Sequence, residues 1–100
     1  MADMPHPQTW LTPQPAGLYC APADVFIDPL RPVARAVITH AHSDHARPGH
    51  DAVLASAATL ALMRARLGAG AGGTQQSLAW GERLRIGPVT LWLEPAGHVL

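Results

Sequence analysis

Lysine is missing from this chain altogether: the seven basic residues are all arginine, and seven acidic residues bring the formal net charge to zero. A neutral chain has no bulk field drawing it to nucleic acid or anionic membrane, so any such contact has to be made locally. Charge is scarce as well as balanced, at 14% of residues against 48% hydrophobic, which excludes a disordered chain and leaves little surface charge for a free-standing domain. Arginine without lysine favours bidentate phosphate contacts, although an Arg- and Ala-rich composition is more often a coding bias. The single cysteine, Cys20, excludes an internal disulfide and suits a reducing compartment, where it acts as a small buried hydrophobe. No apolar run nears the ~20 residues a membrane span needs. Met1 to Pro7 lacks the charged-then-apolar pattern of a secretory leader. No membrane contact and a cytoplasmic location are expected.

What the chain has is histidine, concentrated in one place. The apolar run Ala36-Val37-Ile38 reads as a short buried strand and leads directly into Thr39-His40-Ala41-His42-Ser43-Asp44-His45. If the backbone stays extended, His40 and His42 project from one face and can close on one ion, at Zn–N distances of roughly 2.0–2.1 Å. Asp44 and His45 are adjacent, point differently, and can serve a second ion. Two ions about 3.5–4 Å apart can steady both oxygens of a displaced phosphate ester. The plain alternative is a polar loop that happens to be rich in histidine.

Around this stretch the elements are short. Residues 1–16, with Pro5, Pro7, Pro13 and Pro15, are expected to hold no regular ladder or helix. They form a loosely attached lead, from which Trp10 and Leu11 can dock. Gly17 to Cys20 and Val25 to Ile27 read as strands around a Pro-containing turn, and Asp28 before Pro29 is biased toward an extended backbone. After the histidines, Ala46-Arg47-Pro48-Gly49-His50 is irregular. Arg47 is suited either to a substrate phosphate or to a carboxylate such as Asp51. Asp51 to Ala55 reads as a strand and Ser56 as the N-cap of a helix ending at Leu67 and Gly68, with Leu60, Met63 and Leu67 on its apolar face. Gly68 to Gly73 is a flexible linker; no Gly-Lys-Ser/Thr follows it, which argues against a phosphate loop. Ser77 to Trp80 and a hairpin turning at Gly87-Pro88, with Leu84, Ile86, Val89, Leu91 and Leu93 on its buried side, lead to Glu94-Pro95-Ala96-Gly97-His98.

Thr-His-Ala-His-Ser-Asp-His at 39–45 resembles the H-x-H-x-D-H motif of the metallo-β-lactamase superfamily. Leu18-Tyr19-Cys20, Phe26-Ile27-Asp28-Pro29, Arg31-Pro32-Val33, Ala46-Arg47-Pro48-Gly49-His50 and Pro95-Ala96-Gly97-His98-Val99-Leu100 narrow the similarity to bacterial ligase-associated DNA exonucleases, relatives of DNA cross-link repair and RNA 3′-end processing nucleases. The resemblance implies an α/β fold for residues 17–100: the N-terminal part of an αββα sandwich, with a mixed sheet and one helix after the histidine loop. It implies a first metal held by His40, His42 and His98 and a second by Asp44 and His45, with Asp44 also orienting the attacking water. Asp28 would order the histidine loop by accepting hydrogen bonds, although a simple turn-former before proline is the alternative. His50 matches no metal position.

The implied activity is hydrolysis of DNA phosphodiesters from an end, with Zn²⁺ or with Mn²⁺ or Fe in its place, in repair beside an ATP-dependent DNA ligase and a helicase. The residues themselves establish only metal-assisted hydrolysis. Family members continue well past Leu100 with further ligands and a nucleic-acid cap. The 100 residues alone are therefore expected to hold the second metal weakly and to turn over little. Two other readings remain: an RNA-processing or thioester hydrolase of the same fold, and a metal-binding fragment without turnover. The ending Ala96-Gly97-His98-Val99-Leu100 favours a nuclease over thioester hydrolases, whose third histidine is usually followed by Thr-Pro.

Overall fold

Apolar side chains on both faces suit Ala36-Val37-Ile38 and Val53-Leu54-Ala55 to the middle of a sheet covered on each side, and that is where the chain puts them. The computed structural model describes residues 10–39 and 46–94. Six strands form one sheet in chain order: β1 (Leu11–Gln14), β2 (Gly17–Cys20), β3 (Val25–Ile27), β4 (Arg35–Val37), β5 (Ala52–Ala55) and β6 (Thr74–Ser77). The first three pair antiparallel; β3 to β6 run parallel. Between β5 and β6 lie helix α1 (Ala57–Leu67) and a 3₁₀ turn over Gly68–Ala71. A separate hairpin, β7 (Leu84–Ile86) with β8 (Val89–Leu91), follows.

The alternation sorts side chains into two cores. Ala36, Ile38, Val53 and Ala55 meet Leu60 and Met63 of α1, with Ala46 and Ala71 closing the cluster. On the other face Cys20, Val25, Val37 and Leu54 meet Leu78 and the inward side of the hairpin, Leu84, Ile86, Val89 and Leu91. Helix, mixed sheet and hairpin thus stack in layers, and the mixed α/β class with a helix after the histidine stretch is what the sequence indicated. Among the described residues no helix is long and apolar enough to cross a membrane.

Helix α1 begins and ends where its caps dictate. Ser56 Oγ accepts a hydrogen bond from Thr59 N at 3.1 Å, satisfying one of the orphan amides of the first turn and contributing about 1 kcal/mol. Gly68 closes the helix at φ 59°, and its amide donates to Arg64 O. The run that follows is more ordered than a linker. A Cβ on Gly73 would lie 2.6 Å from Asp51 O, so only glycine lets β6 enter beside β5.

Two corrections concern the sheet edges. Residues 11–14 form β1 despite Pro13, which pairs with Leu18; proline is tolerated because an edge strand does not need its amide for the ladder. Trp10 and Leu11 pack against the hairpin-side core. The loose lead therefore does not extend through residue 16. The polar run Thr74-Gln75-Gln76-Ser77 forms β6, since main-chain pairing with β5 holds an edge strand without apolar alternation.

Candidate metal centre

Strands β3, β4, β5 and β6 are parallel, so their C-terminal ends share one edge of the sheet. Ligands of open α/β sheets gather beyond such ends. Asp28 follows β3 there, and Thr39 follows β4 by way of the fully buried Ile38.

Asp28 ties these two strand ends together. Its amide donates to Val37 O at 2.9 Å. Its carboxylate accepts from Thr39 N at 2.8 Å through Oδ1 and from Thr39 Oγ1 at 2.6 Å through Oδ2. Charge-assisted bonds of this kind are roughly twice as strong as neutral ones. They hold Asp28 at φ 47°, a left-handed backbone rather than the extended one that a following proline favours. Aspartate tolerates that region better than most residues. Asp28→Ala is expected to destabilise the protein by about 1–3 kcal/mol, from the lost bonds and the left-handed backbone. It is also expected to weaken Zn²⁺ binding roughly 10- to 100-fold, as loss of a residue supporting a metal loop does. Asp28→Asn, which keeps an acceptor for Thr39 N, is expected to lose less on both counts. Urea midpoints and chelator-competition titrations check this; an unchanged affinity in Asp28→Ala would show that the clasp does not serve the loop.

His40, His42, Asp44, His45 and His98 all lie outside the described residues. The flanks of the 40–45 stretch are described. Thr39 is exposed, while Ala46 is buried in the helix-side core and its carbonyl accepts from Arg66 Nη2 at 2.8 Å. Chain leaves the core at Thr39 and re-enters it at Ala46. The donor set carried between them, imidazole nitrogens and a carboxylate, suits Zn²⁺ and also Mn²⁺ or Fe. Among the described residues no three His, Cys, Asp or Glu side chains gather into a metal-binding group.

Arg47 is half-buried, and its Nε is shielded from solvent with no hydrogen-bond partner. Among the described residues nothing bonds it to Asp51, so a capping role toward that carboxylate is not seen. His50 is only 2% exposed, with Nδ1 accepting from Val33 N at 3.2 Å and Nε2 lacking a partner. Its accepting nitrogen is committed to the backbone and to the neutral ring.

Burial pushes the His50 pKa below its ordinary value, because the charged ring loses hydration. The unfolded chain therefore binds more protons in the window just under about pH 6.5. The His50 contribution to stability is complete above that pH and is lost as pH falls through the window toward the depressed folded pKa. Urea denaturation as a function of pH should show the wild-type midpoint dropping more steeply there than that of His50→Gln, which cannot titrate. Parallel profiles would remove His50 as the cause.

A cleft of about 680 Å³ opens between the sheet and β7. Its lining includes Arg35, Ala52 and Thr74, the first residues of β4, β5 and β6, at the end of the strands away from Thr39.

The fold and its loop define a class: a mixed α/β domain that carries a histidine- and aspartate-rich segment at the C-terminal edge of parallel strands. Comparison with known proteins adds one particular. Over 84 residues, 83% of this chain, the sequence is 39% identical to part of a protein of Opitutus terrae named probable DNA ligase. The chain spans only 8% of that protein's length. The similarity links the chain to DNA metabolism. No family model matches the chain, and no solved structure matches it.

Proposed function

We propose that this chain carries the first metal-binding motif of a metal-dependent DNA exonuclease of metallo-β-lactamase fold, acting in repair on DNA ends beside an ATP-dependent ligase and a helicase. The observation that carries the reading is Asp28 binding both polar groups of Thr39 at the C-terminal end of a central parallel strand, one residue before the H-x-H-x-D-H sequence. Similarity to part of a protein named for DNA ligation supports DNA as the substrate.

His40, His42 and His98 would hold one Zn²⁺, and Asp44 with His45 a second; Mn²⁺ or Fe would suit the same donors. A divalent cation there supplies charge stabilisation to a phosphodiester and makes water a competent nucleophile near neutral pH. Asp44 would also accept a hydrogen bond from the attacking water and orient it. Arg47, with an Nε uncommitted to any protein acceptor, would meet a substrate phosphate.

The test uses the intact protein with end-labelled DNA, RNA of the same sequence and a thioester, each with Zn²⁺ or Mn²⁺. Stepwise shortening of DNA from an end is the expected result. Cleavage of RNA alone or of the thioester alone would replace the exonuclease reading with another hydrolase of the fold. Metal uptake with no turnover would leave a binding module.

A further inference from the structure

Helix α1 ends with two arginines that do different things. Arg64 Nη1 donates to Gln75 Oε1 on β6 at 2.7 Å, fastening helix to edge strand. Arg66 reaches back across the chain, and its Nη2 donates to Ala46 O at 2.8 Å in a partly buried bond. Ala46 is the first described residue after the histidine stretch and is only 1% exposed. The stretch is thus tied at both flanks by charged groups on separate elements, Asp28 on Thr39 and Arg66 on Ala46.

We infer that Arg66 is a positioning residue for divalent-cation binding, fixing the exit of the 40–45 segment as Asp28 fixes its entry. The inference rests on the proposed metal-binding reading of that segment. Its physical basis is preorganisation. Ligands on a segment anchored at one end alone must be ordered when the cation arrives, and that ordering subtracts from affinity. A guanidinium on a peptide carbonyl is a charge-assisted bond, strong enough to hold the exit in the metal-free protein. The competing explanation is that a basic residue in the last turn merely complements the helix dipole. Arg64 occupies the same turn without touching Ala46, so it separates the two.

The experiment measures Zn²⁺ affinity by competition with a chromophoric chelator, and the urea midpoint of the metal-free protein, for the wild type, Arg66→Met, Arg66→Lys and Arg64→Met. Arg66→Met is expected to weaken Zn²⁺ binding roughly 10- to 100-fold, the cost typical of a lost outer partner. Arg64→Met is expected to leave affinity unchanged. Arg66→Lys should recover part of the loss, since an ammonium can reach one carbonyl without the planar fork. Equal loss in Arg64→Met and Arg66→Met would assign the effect to the helix dipole and overturn the inference. Wild-type affinity in Arg66→Met would overturn it while leaving the metal-binding reading intact; a wild-type protein that takes up no Zn²⁺ overturns both. If Arg66→Met is too unstable to titrate, Arg66→Lys decides: weakened binding at an unchanged midpoint supports the inference, and unchanged binding overturns it.

Discussion

In His42→Ala, Zn²⁺ uptake is expected to collapse and DNA hydrolysis to fall by more than the roughly 10- to 100-fold that loss of an outer-shell partner costs. A ligand supplies a bond to the ion, whereas residues such as Asp28 only orient what supplies it. With His42 gone the first ion keeps two protein ligands of the proposed three, below the number that catalytic zinc sites use. The fold should not register the change in metal-free protein, because His42 lies between the two anchored flanks, Thr39 and Ala46, and not within either core cluster. Zn²⁺ titration, metal-free urea denaturation and end-labelled DNA assays on one preparation separate these effects. Wild-type activity in the variant would sink the proposed mechanism; a lowered metal-free midpoint would mean that the imidazole is part of the fold.

Much of the fold was legible because its signals are local. Ser56 and Gly68 mark the ends of α1 by their own backbone chemistry, and Leu60 and Met63 mark its buried face. Strands β2 and β3 stand out as apolar runs around a turn, closed by Tyr19 Oη donating to Asp24 Oδ1 at 2.7 Å. The edges were hidden for two different reasons. In β1 the prolines argue against a ladder, yet an edge strand needs only some of its amides. In β6 the side chains are polar because main-chain pairing alone holds the strand, so no period of two shows in the sequence.

The candidate site divides in the same way. The histidine cluster is visible as spacing, and Asp28 enters through the resemblance of its surroundings to a known motif. Thr39 could have been noticed as the hydroxyl residue that leads into that motif. Nothing in the sequence points to Arg66, which lies 20 residues from the carbonyl it holds. Such contacts arise only once β5 and α1 have folded back over the sheet. Metal loops take their ligands from a few consecutive residues but their stiffness from distant ones. The second kind has no sequence pattern of its own.

Ile38 joins the core to the loop, and Ile38→Ala is expected to cost about 2–5 kcal/mol. The side chain is completely buried among Ala36, Ala46, Val53, Ala55, Leu60 and Met63, and its amide donates to Leu54 O at 2.9 Å. Several of those neighbours are alanines, whose short side chains cannot swing into the space, so the cavity persists and the cost lies toward the upper end. Against the roughly 5–15 kcal/mol that stabilises a typical domain, one substitution removes a large share. Ile38→Val, which deletes a single methyl group, should cost about 0.5–1.5 kcal/mol. Because Ile38 also precedes Thr39 and packs beside Ala46, metal and core are linked thermodynamically. A cation that binds only the folded chain adds about 2.7 kcal/mol at a hundred times its dissociation constant. Saturating Zn²⁺ should therefore raise the urea midpoint of Ile38→Ala by a large part of what the mutation took away, and should do nothing for the Ile38→Ala/His42→Ala double variant. A cost below about 1 kcal/mol would contradict the packing described for Ile38; an equal Zn²⁺ response in both proteins would mean that the ion binds somewhere other than the histidine loop.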